Sequence, residues 1–395
     1  MSLNGGQQLA LKLLITWWRH KTSKVFQISG AAGTGKTYIV RKLIEAIGLD
    51  LSNVLFMAYI GKASLAMVQN GLPGKTIHSA ICDTELETQK DCFGNVVKRE
   101  DGSPVIIPLF KPKPSLPEHI KLLVVDEGAM VPEKLGKWIL GYNIPTIVLG
   151  DLNQLPPVFG KPFFLRNPDV ILTEIMRQSK DSPIPWLANK ILQGSLPKYG
   201  NYKDIISIVH SSDITVDDML ESNIVICGRN KTRWYLNHDM RRRTFNIPPN
   251  EENPKEPLIG DKLICRKNNW IVKIRDTEIS LINGMIGEVK DIIYELSSKQ
   301  FTTIDFKPEI TDKLFFNVPV DLSHFRNYIT SNSGVPKRSL YESFELGYAI
   351  TCHLAQGSQY DNVMVMYEVM GNRDYQRQWL YTAVTRAKKK LTIVY

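Results

Sequence analysis

With 395 residues and 43% hydrophobic side chains, the chain is too long for a single ordinary core and apolar enough to build two or more. Its 49 lysines and arginines outnumber its 40 aspartates and glutamates, which favours a polyanionic partner without identifying one. The five cysteines lack CxxC spacing and no long apolar run occurs, so the sequence indicates no zinc site, disulfide framework, signal peptide or membrane span. We therefore expect a cytoplasmic protein without membrane contacts.

A phosphate-binding loop is predicted at residues 25–37, which read VFQISGAAGTGKT. The apolar run at the start predicts a buried strand, and the apolar spacing after the loop predicts a helix. Between them, the pattern GxxxxGK(S/T) turns backbone N–H groups toward phosphate oxygens at a helix N-terminus. We expect Lys36 to reach the β and γ phosphates of ATP and the Thr37 hydroxyl to ligate Mg²⁺. The predicted nucleotide-binding residues here are Gly30, Ala31, Ala32, Gly33, Thr34, Gly35, Lys36 and Thr37.

Two neighbouring segments complete the first part of the chain. Residues 5–18 predict an amphipathic helix with Gln7 at its start, where a glutamine is most often a solvated residue. Residues 80–118 carry five prolines, and an Asp-Gly pair separates the β-branched runs 96–97 and 105–107. This composition predicts an inserted hairpin with those two runs as its arms, although a solvated surface hairpin fits it as well.

Two acids follow the next apolar run of the chain. Residues 122–125 read LLVV and predict a buried strand that ends at Asp126 and Glu127. In P-loop enzymes the first such acid holds Mg²⁺ and the next polarises the attacking water. Two acids can also be a solvated strand end, but the upstream loop favours the catalytic interpretation.

Polar residues of two later segments are further candidates. A strand at 146–149 leads into a proline-stiffened loop with Gln154, whose amide can bond a γ-phosphate or the water beside it. A plain polar loop is the alternative. Arg177 is placed to contact phosphate or to pair with Glu174.

The second half of the chain shows an interrupted α/β pattern. The first domain is complete by about residue 183, and residues 205–226 begin the second pattern, with a buried strand at 224–227. The helix that follows has a basic end at 241–243, which complements the helix dipole or contacts phosphate. Residues 258–339 are β-rich and predict a small barrel or sheet. The α/β pattern then returns to the end of the chain.

Taken in order, these motifs resemble those of superfamily 1 helicases of the RecD and Dda group. The similar segments are Gln7 (the adenine-reading Q motif), GAAGTGKT at 30–37 (motif I), AYIGKAS at 58–64 (motif Ia), TIHS at 76–79, DEGAM at 126–130 (motif II), GDLNQLPPV at 150–158 (motif III), Arg177 (motif IV), AITCHLAQGSQYDNV at 349–363 (motif V) and LYTAVTRAKK at 380–389 (motif VI). Two motifs depart from the group: Leu354 replaces a usual lysine, and Tyr59 and Ile60 replace proline and threonine.

The resemblance implies an α/β fold of two RecA-like P-loop NTPase lobes, with ATP between them and single-stranded DNA across both. It also implies an inserted β-hairpin in the first lobe and a small SH3-like β module in the second. The expected boundaries are 1–79 and 119–182 for the first lobe, 80–118 for the hairpin as a wedge, 183–257 and 340–395 for the second lobe, and 258–339 for the SH3-like module.

The site residues that the resemblance implies fall into four groups. The catalytic residues are Lys36, Asp126, Glu127, Gln154, Arg177 and Arg386. Gln7 and Gly357 join the loop in nucleotide binding, and Thr37 and Asp126 hold the metal. The DNA-binding residues are Lys62, Thr76, His78, Pro156, Thr351, His353 and Gln356.

The implied function is that of an ATP-dependent DNA helicase of bacterial or bacteriophage origin that moves 5′ to 3′ on single-stranded DNA. Such a motor would act as a monomer at junctions of single and double strands in replication, repair or recombination, with protein partners that the sequence does not identify. A translocase or remodeler that hydrolyses ATP without separating strands is one alternative. A non-enzymatic nucleic-acid binder with a degenerate ATP site is another, which the intact catalytic motifs oppose.

Overall fold

The computed structural model describes residues 3–88, 90, 94–96, 104, 106–157, 161–174, 182–277, 279–326 and 341–395. The chain divides into two compact units, each of which is formed by separate stretches of sequence. The first unit comprises Met1–Ala80, Ser115–Arg233 and Ala349–Tyr395, and the second comprises Ile81–Pro114 and Trp234–Tyr348.

The N-terminal part of the chain alternates helices and strands around one interruption. Its elements are α1 (Gly5–His20), β1 (Val25–Gly30), α2 (Lys36–Ala46), β2 (Val54–Ala58), α3 (Gly61–Gln69), β3 (Gly74–Thr76), α4 (Ile77–Ile81), β4 (Cys82–Thr88), β5 (Ile106–Pro112), β6 (Leu122–Asp126), α5 (Glu133–Gly141), β7 (Thr146–Gly150) and β8 (Val170–Leu172).

The first sheet has the strand order β3-β2-β6-β7-β1-β8, and all of its strands are parallel. A parallel sheet is covered by helices on both faces, which explains why its strands are continuous apolar runs rather than alternating ones. Ala58 pairs with Asp126, and Ser29 pairs with Gly150. The predicted P-loop and the acid pair therefore leave the sheet at the same edge, where the strands end.

The middle of the chain contributes to both units. Its elements are α6 (Pro183–Leu192), β9 (Gly200–Tyr202), β10 (Ile206–Val209), α7 (Val216–Leu220), β11 (Ile224–Cys227), α8 (Asn230–Thr244), β12 (Lys262–Cys265), β13 (Asn269–Lys273), β14 (Ser280–Leu281), β15 (Ile286–Ile293), β16 (Phe301–Pro308), β17 (Phe315–Asp321), α9 (Ser323–Arg326) and β18 (Phe344–Leu346). The chain ends with β19 (Ala349–Thr351), α10 (Cys352–Ala355), β20 (Tyr360–Met366), α11 (Arg373–Val384) and β21 (Ala387–Val394).

The second sheet also belongs to the first unit. Its order is β19-β11-β20-β21-β10-β9, and every neighbouring pair is parallel except β10 with β9. Two six-stranded sheets, one parallel and one parallel except for its β9 edge strand, confirm with their flanking helices the expected α/β fold of two RecA-like lobes.

The second unit contains a five-stranded antiparallel sheet of order β17-β16-β15-β12-β18. Backbone hydrogen bonds from Asp321 to Glu342 (2.9 Å) and from Glu342 to Pro319 (2.7 Å) connect β17 with the segment before β18, so the two edges of the sheet meet. Strand β18 follows residue 339, where the sequence predicted the module to end. Its SH3-like character remains a prediction.

The hairpin strands β4 and β5 pair antiparallel from Cys82 with Pro112 to Thr88 with Ile106. An inserted hairpin is therefore present, but its arms differ from the predicted ones, since residues 106–107 pair with 87–88. Val96 forms an isolated bridge with Lys90 instead. The run CDTELET was missed because charged residues fill one side of its alternation. The predicted Asp-Gly turn lies outside the described residues.

Candidate nucleotide-binding site

The turn between β1 and α2 requires glycine at three positions. A Cβ on Gly30 would lie 2.8 Å from the carbonyl oxygen of Leu172, and Gly33 and Gly35 have φ angles of 85° and 86°. Both angles lie in the left-handed region, which side chains other than glycine adopt at a cost. The glycines that the sequence pattern selected are thus required by the backbone path.

The N-terminus of α2 offers donors for an anion. Gly35 caps the helix without a side-chain hydrogen bond, so the N-cap residue offers no side-chain acceptor to the first amides of α2, at Lys36 and Thr37. The Lys36 ammonium donates to the carbonyl oxygens of Gly30 (2.6 Å) and Ala31 (3.1 Å) and therefore lies across the turn. The backbone amides of a helix N-terminus, the helix dipole and an ammonium together fit a polyphosphate.

Gln7 braces this turn from α1. It is buried, and its Nε2 donates to the carbonyl oxygen of Thr34 (3.0 Å) while its Oε1 accepts from the Asn4 amide (3.2 Å). A Cβ on Gly35 would lie 2.5 Å from Nε2. Gln7 is thus part of the loop's support rather than a solvated residue. Adenine recognition by Gln7 remains a prediction.

The acid pair lies at the end of β6. Asp126 Oδ1 accepts from the Glu127 amide (2.8 Å), and burial raises the pKa of Asp126 while the nearby Lys36 ammonium lowers it. Burial and then the Asp126 charge raise the pKa of Glu127 to about 7, against the lowering effect of Arg386. A carboxylate whose pKa lies near the working pH is suited to take a proton. A threonine hydroxyl and an aspartate carboxylate are hard-oxygen donors of the kind that Mg²⁺ prefers, so Thr37 and Asp126 remain the predicted metal ligands.

Gln154 follows β7 in a buried loop. Its Nε2 donates to Asp151 Oδ2 (3.4 Å), and its Oε1 has no hydrogen-bond partner among the described residues. The Tyr381 hydroxyl of α11 donates to the same Asp151 oxygen (2.8 Å). Burial and the Asp151 charge raise the pKa of Tyr381, so its hydroxyl stays protonated as the donor. A loop of the first sheet and a helix of the second thus share one buried carboxylate.

The residue after Gln154 is held from the second sheet at both of its backbone polar groups. The Leu155 amide donates to the Thr382 hydroxyl (2.9 Å), and the Leu155 carbonyl accepts from Gln356 Nε2 (2.9 Å). Gln356 was predicted to bind DNA, but here it is buried and contacts the Gln154 loop. The position of this loop therefore depends on both sheets.

Arg386 is buried at 1% exposure, and its hydrogen bonds to the described residues go to neutral acceptors. Its Nε donates to the Thr382 carbonyl (3.0 Å), its Nη1 to the Ser358 carbonyl (3.1 Å) and its Nη2 to the Thr385 hydroxyl (3.2 Å). No carboxylate of the described residues forms an ion pair with it. Its positive charge lowers the pKa of Glu127, so a residue beside the second sheet acts on an acid at the end of a strand of the first. Arg177, the other predicted arginine, lies outside the described residues.

Three of the predicted DNA-binding residues contact other groups of the protein. Lys62 Nζ donates to the Tyr360 hydroxyl (3.2 Å), which links α3 to β20. The His78 ring lies 6.5 Å from that of Tyr59. The Thr76 hydroxyl accepts from the Ser79 amide (3.2 Å) at the start of α4 and is buried.

The remaining predicted residues occupy other positions. Thr351 is buried before α10, His353 and Pro156 are partly buried, and burial lowers the pKa of His353. Gly357, predicted to bind nucleotide, packs against Ile60, since a Cβ there would lie 2.6 Å from Ile60 Cδ1. The burial and packing of these four residues do not identify a ligand for any of them.

Sequence reasoning missed Asp151, Tyr381 and Thr382. A signal was present, because Asp151 belongs to the same segment as Gln154, and Tyr381 and Thr382 belong to the same segment as Arg386. Among the described residues no helix is long and apolar enough to span a membrane.

The fold and the loop define a P-loop NTPase with two RecA-like lobes. Two family profiles match parts of the chain: a UvrD-like helicase C-terminal domain over residues 346–394, and an AAA domain over residues 18–160.

Curated relatives extend this result over most of the chain. An uncharacterized protein of Methanocaldococcus jannaschii is 25% identical over 94% of this chain and 36% of its own length. The ATP-dependent RecD2 DNA helicase of Deinococcus radiodurans is 24% identical over 92% of this chain and 46% of its own. The ATP-dependent DNA helicase dda of Enterobacteria phage T4 is 25% identical over 67% of this chain and 61% of its own. The chain thus spans roughly a third to three fifths of these three relatives.

Among solved structures, a Pif1 helicase from Bacteroides in complex with ADP-AlF3 and single-stranded DNA aligns over 100% of this chain and 92% of that protein. The TM-score is 0.54 at 17% identity, which supports a shared fold. The chain is therefore similar in sequence to the RecD2 and Dda helicases, and it shares the fold of a Pif1 helicase.

Proposed function

We propose that the chain is an ATP-dependent DNA helicase that moves 5′ to 3′ on single-stranded DNA and couples ATP hydrolysis to duplex unwinding. The observation that carries this proposal is the joining of the Gln154 loop to the second sheet by Tyr381, Thr382 and Gln356. A site built from two lobes can couple hydrolysis to the movement of one lobe relative to the other, and a motor requires this coupling.

Hydrolysis would use the site residues in distinct roles. Lys36 binds the β and γ phosphates of ATP, and Glu127 accepts the proton of the attacking water. Gln154 contacts that water or the γ-phosphate. Arg386 stabilises charge that develops in the transition state. Thr37 and Asp126 would hold Mg²⁺, which when bound neutralises phosphate charge.

Movement would follow from alternate grip on DNA by the two lobes. Lys62, His78 and His353 are proposed contacts, and the charge excess of the chain favours such a polyanion. The neighbouring rings of Tyr59 and His78 offer a stacking surface for a base. The proposed partners are therefore single-stranded DNA and its junctions with duplex. A monomeric motor in the cytoplasm remains our prediction.

Two accessory roles belong to the same proposal. The β4–β5 hairpin is proposed to separate the strands of the duplex, and the five-stranded sheet of the second unit to be an SH3-like accessory module. Deleting residues 95–105 should then leave DNA-stimulated ATPase but little unwinding. Normal unwinding by that variant would exclude the wedge.

A strand-separation assay on duplexes with 5′ or 3′ single-stranded tails tests the proposal. We expect ATP-dependent unwinding of the 5′-tailed duplex, and steep stimulation of ATPase by single-stranded DNA. Lys36→Ala is the control and should abolish turnover while single-stranded DNA binding persists.

Two outcomes of this assay would contradict different parts of the proposal. Stimulated ATPase without unwinding of either duplex would favour the translocase alternative. Unwinding from 3′ tails alone would overturn the polarity and the assignment to the RecD and Dda group.

A further inference from the structure

The Asp151 carboxylate is buried, and no cationic side chain in the described part of the chain forms an ion pair with it. It is 1% exposed, and its Oδ1 accepts from the Asn153 amide (3.0 Å). Its Oδ2 accepts from both the Tyr381 hydroxyl (2.8 Å) and Gln154 Nε2 (3.4 Å). A buried carboxylate is costly unless hydrogen bonds satisfy it, so these donors are needed to keep Asp151 in place. The shorter of the two side-chain contacts is made by Tyr381, which lies on the α11 helix beside the second sheet.

This arrangement decides which end of the Gln154 amide is left without a partner among the described residues. The nitrogen is engaged by Asp151, which as a carboxylate accepts hydrogen bonds and cannot donate one. The carbonyl oxygen Oε1 is then left buried and without a partner among the described residues. A buried unpaired acceptor costs free energy, which a ligand that donates a hydrogen bond would recover.

We propose that Asp151 and Tyr381 are positioning residues that hold the Gln154 amide with its carbonyl oxygen toward the attacking water. Water donates to a carbonyl oxygen, whereas a γ-phosphate oxygen cannot. The structure therefore separates two roles that the sequence left open for Gln154. This inference rests on the proposed ATP hydrolysis.

The same contacts make the water-orienting group dependent on the second sheet. Tyr381 fixes the carboxylate, and Thr382 and Gln356 fix the backbone of Leu155, which directly follows Gln154. If α11 moves away from the loop, Asp151 loses the Tyr381 hydroxyl and Gln154 loses its fixed orientation. Hydrolysis would then be confined to the arrangement in which the two sheets meet.

A double-mutant cycle on DNA-stimulated ATPase tests the inference. Tyr381→Phe removes one hydroxyl and keeps the ring, and we expect kcat to fall about tenfold with KM for ATP nearly unchanged. Gln154→Ala should fall further. Because Tyr381 acts through Gln154, the double variant should be no slower than Gln154→Ala alone.

Tyr348→Phe is the matched control. The Tyr348 hydroxyl also donates to a buried aspartate, Asp261 (3.2 Å), but in the second unit. It should lose a similar hydrogen bond and keep kcat. Thermal melting verifies folding, and Asp151→Asn replaces Tyr381→Phe in the cycle if the latter does not fold.

Additive losses, a rise in KM in place of a fall in kcat, or an equal loss in the Tyr348 control would overturn the inference. Absence of turnover in the wild-type protein would instead refute the proposed function. An unchanged rate in Tyr381→Phe beside an active wild type refutes only the positioning role.

Discussion

The two units bury the same three residue types in opposite arrangements. In the second unit, Arg241 donates to both carboxylate oxygens of Asp261 (2.9 and 2.6 Å), and the Tyr348 hydroxyl donates to Asp261 as well. In the first unit, Asp151 is held by Tyr381 and Gln154, while the guanidinium of Arg386 donates to two carbonyls and a hydroxyl. We call the Asp261 cluster closed because an ion pair joins its arginine to its carboxylate. We call the Asp151 cluster open because no carboxylate of the described residues forms an ion pair with Arg386.

This difference fits a structural role for Arg241 and the proposed catalytic role for Arg386. A buried arginine that is matched by a carboxylate has its charge compensated, and breaking such a pair is strongly destabilising. A buried arginine held by neutral groups is fixed in direction but retains its full charge for an anion. Transition states of phosphoryl transfer need such charge, already oriented, in a site with little water.

The largest effect is expected at the open cluster. Arg386→Ala should lower kcat for DNA-stimulated ATPase about a thousandfold or more, because arginines at this step have effects of that size. Nucleotide affinity should change far less, since the interaction develops mainly in the transition state. Steady-state kinetics and nucleotide titration measure the two quantities. An equal loss of turnover and affinity would place Arg386 in ground-state binding.

At the closed cluster the effect should appear in stability. Arg241→Met leaves the Asp261 carboxylate buried and uncompensated, and we expect the free energy of unfolding to fall by about 3–5 kcal/mol. Chemical denaturation measures the change. Adding Asp261→Leu should recover much of it, because the unpaired charge is then removed. A strong loss of kcat in molecules that remain folded would contradict the structural role.

An intermediate effect is expected where the two sheets share the Gln154 loop. Thr382→Val removes the acceptor of the Leu155 amide, and kcat should fall several-fold to about tenfold, which corresponds to one hydrogen bond. Thr382→Ser should recover most of the rate, since it keeps the hydroxyl. Thr16→Val is the control, because the Thr16 hydroxyl contacts only its own helix. A serine variant as slow as the valine variant would indicate a packing effect.

The smallest effect is expected at the partly exposed cation of Lys62. Its ammonium contacts the Tyr360 hydroxyl and ring rather than a carboxylate. Lys62→Met should weaken single-stranded DNA binding less than about tenfold and reduce the slope of log affinity against log salt by about one. Titrations at several salt concentrations measure both. An unchanged slope would remove Lys62 from the DNA contacts.

The sequence was sufficient to predict a residue's position where one short pattern determines both its chemistry and its local conformation. Gly33, Gly35 and Lys36 were predictable because a short pattern specifies both the turn and its ligand. Asp126 and Glu127 were predictable because strands of a parallel sheet end at one edge.

Contacts between distant segments were not predictable in this way. Tyr381 and Asp151 are 230 positions apart, and neither lies in a pattern that names the other. The basic run at 241–243 was interpreted as a dipole partner or a phosphate contact, yet Arg241 is buried against Asp261 and Arg242 donates to the carbonyl of Pro248. Charge composition reports how many cations there are, whereas burial decides what they bind.

The support that Gln7 gives to the phosphate loop has a practical consequence for reducing this protein to smaller fragments. A fragment that begins at Val25 would keep every residue of the loop but lose the Asn4–Gln7 capping box and the bond to Thr34. A fragment designed to keep the loop in this conformation should therefore extend to Asn4. Grafting the loop into another scaffold would require an amide donor in the place of Gln7.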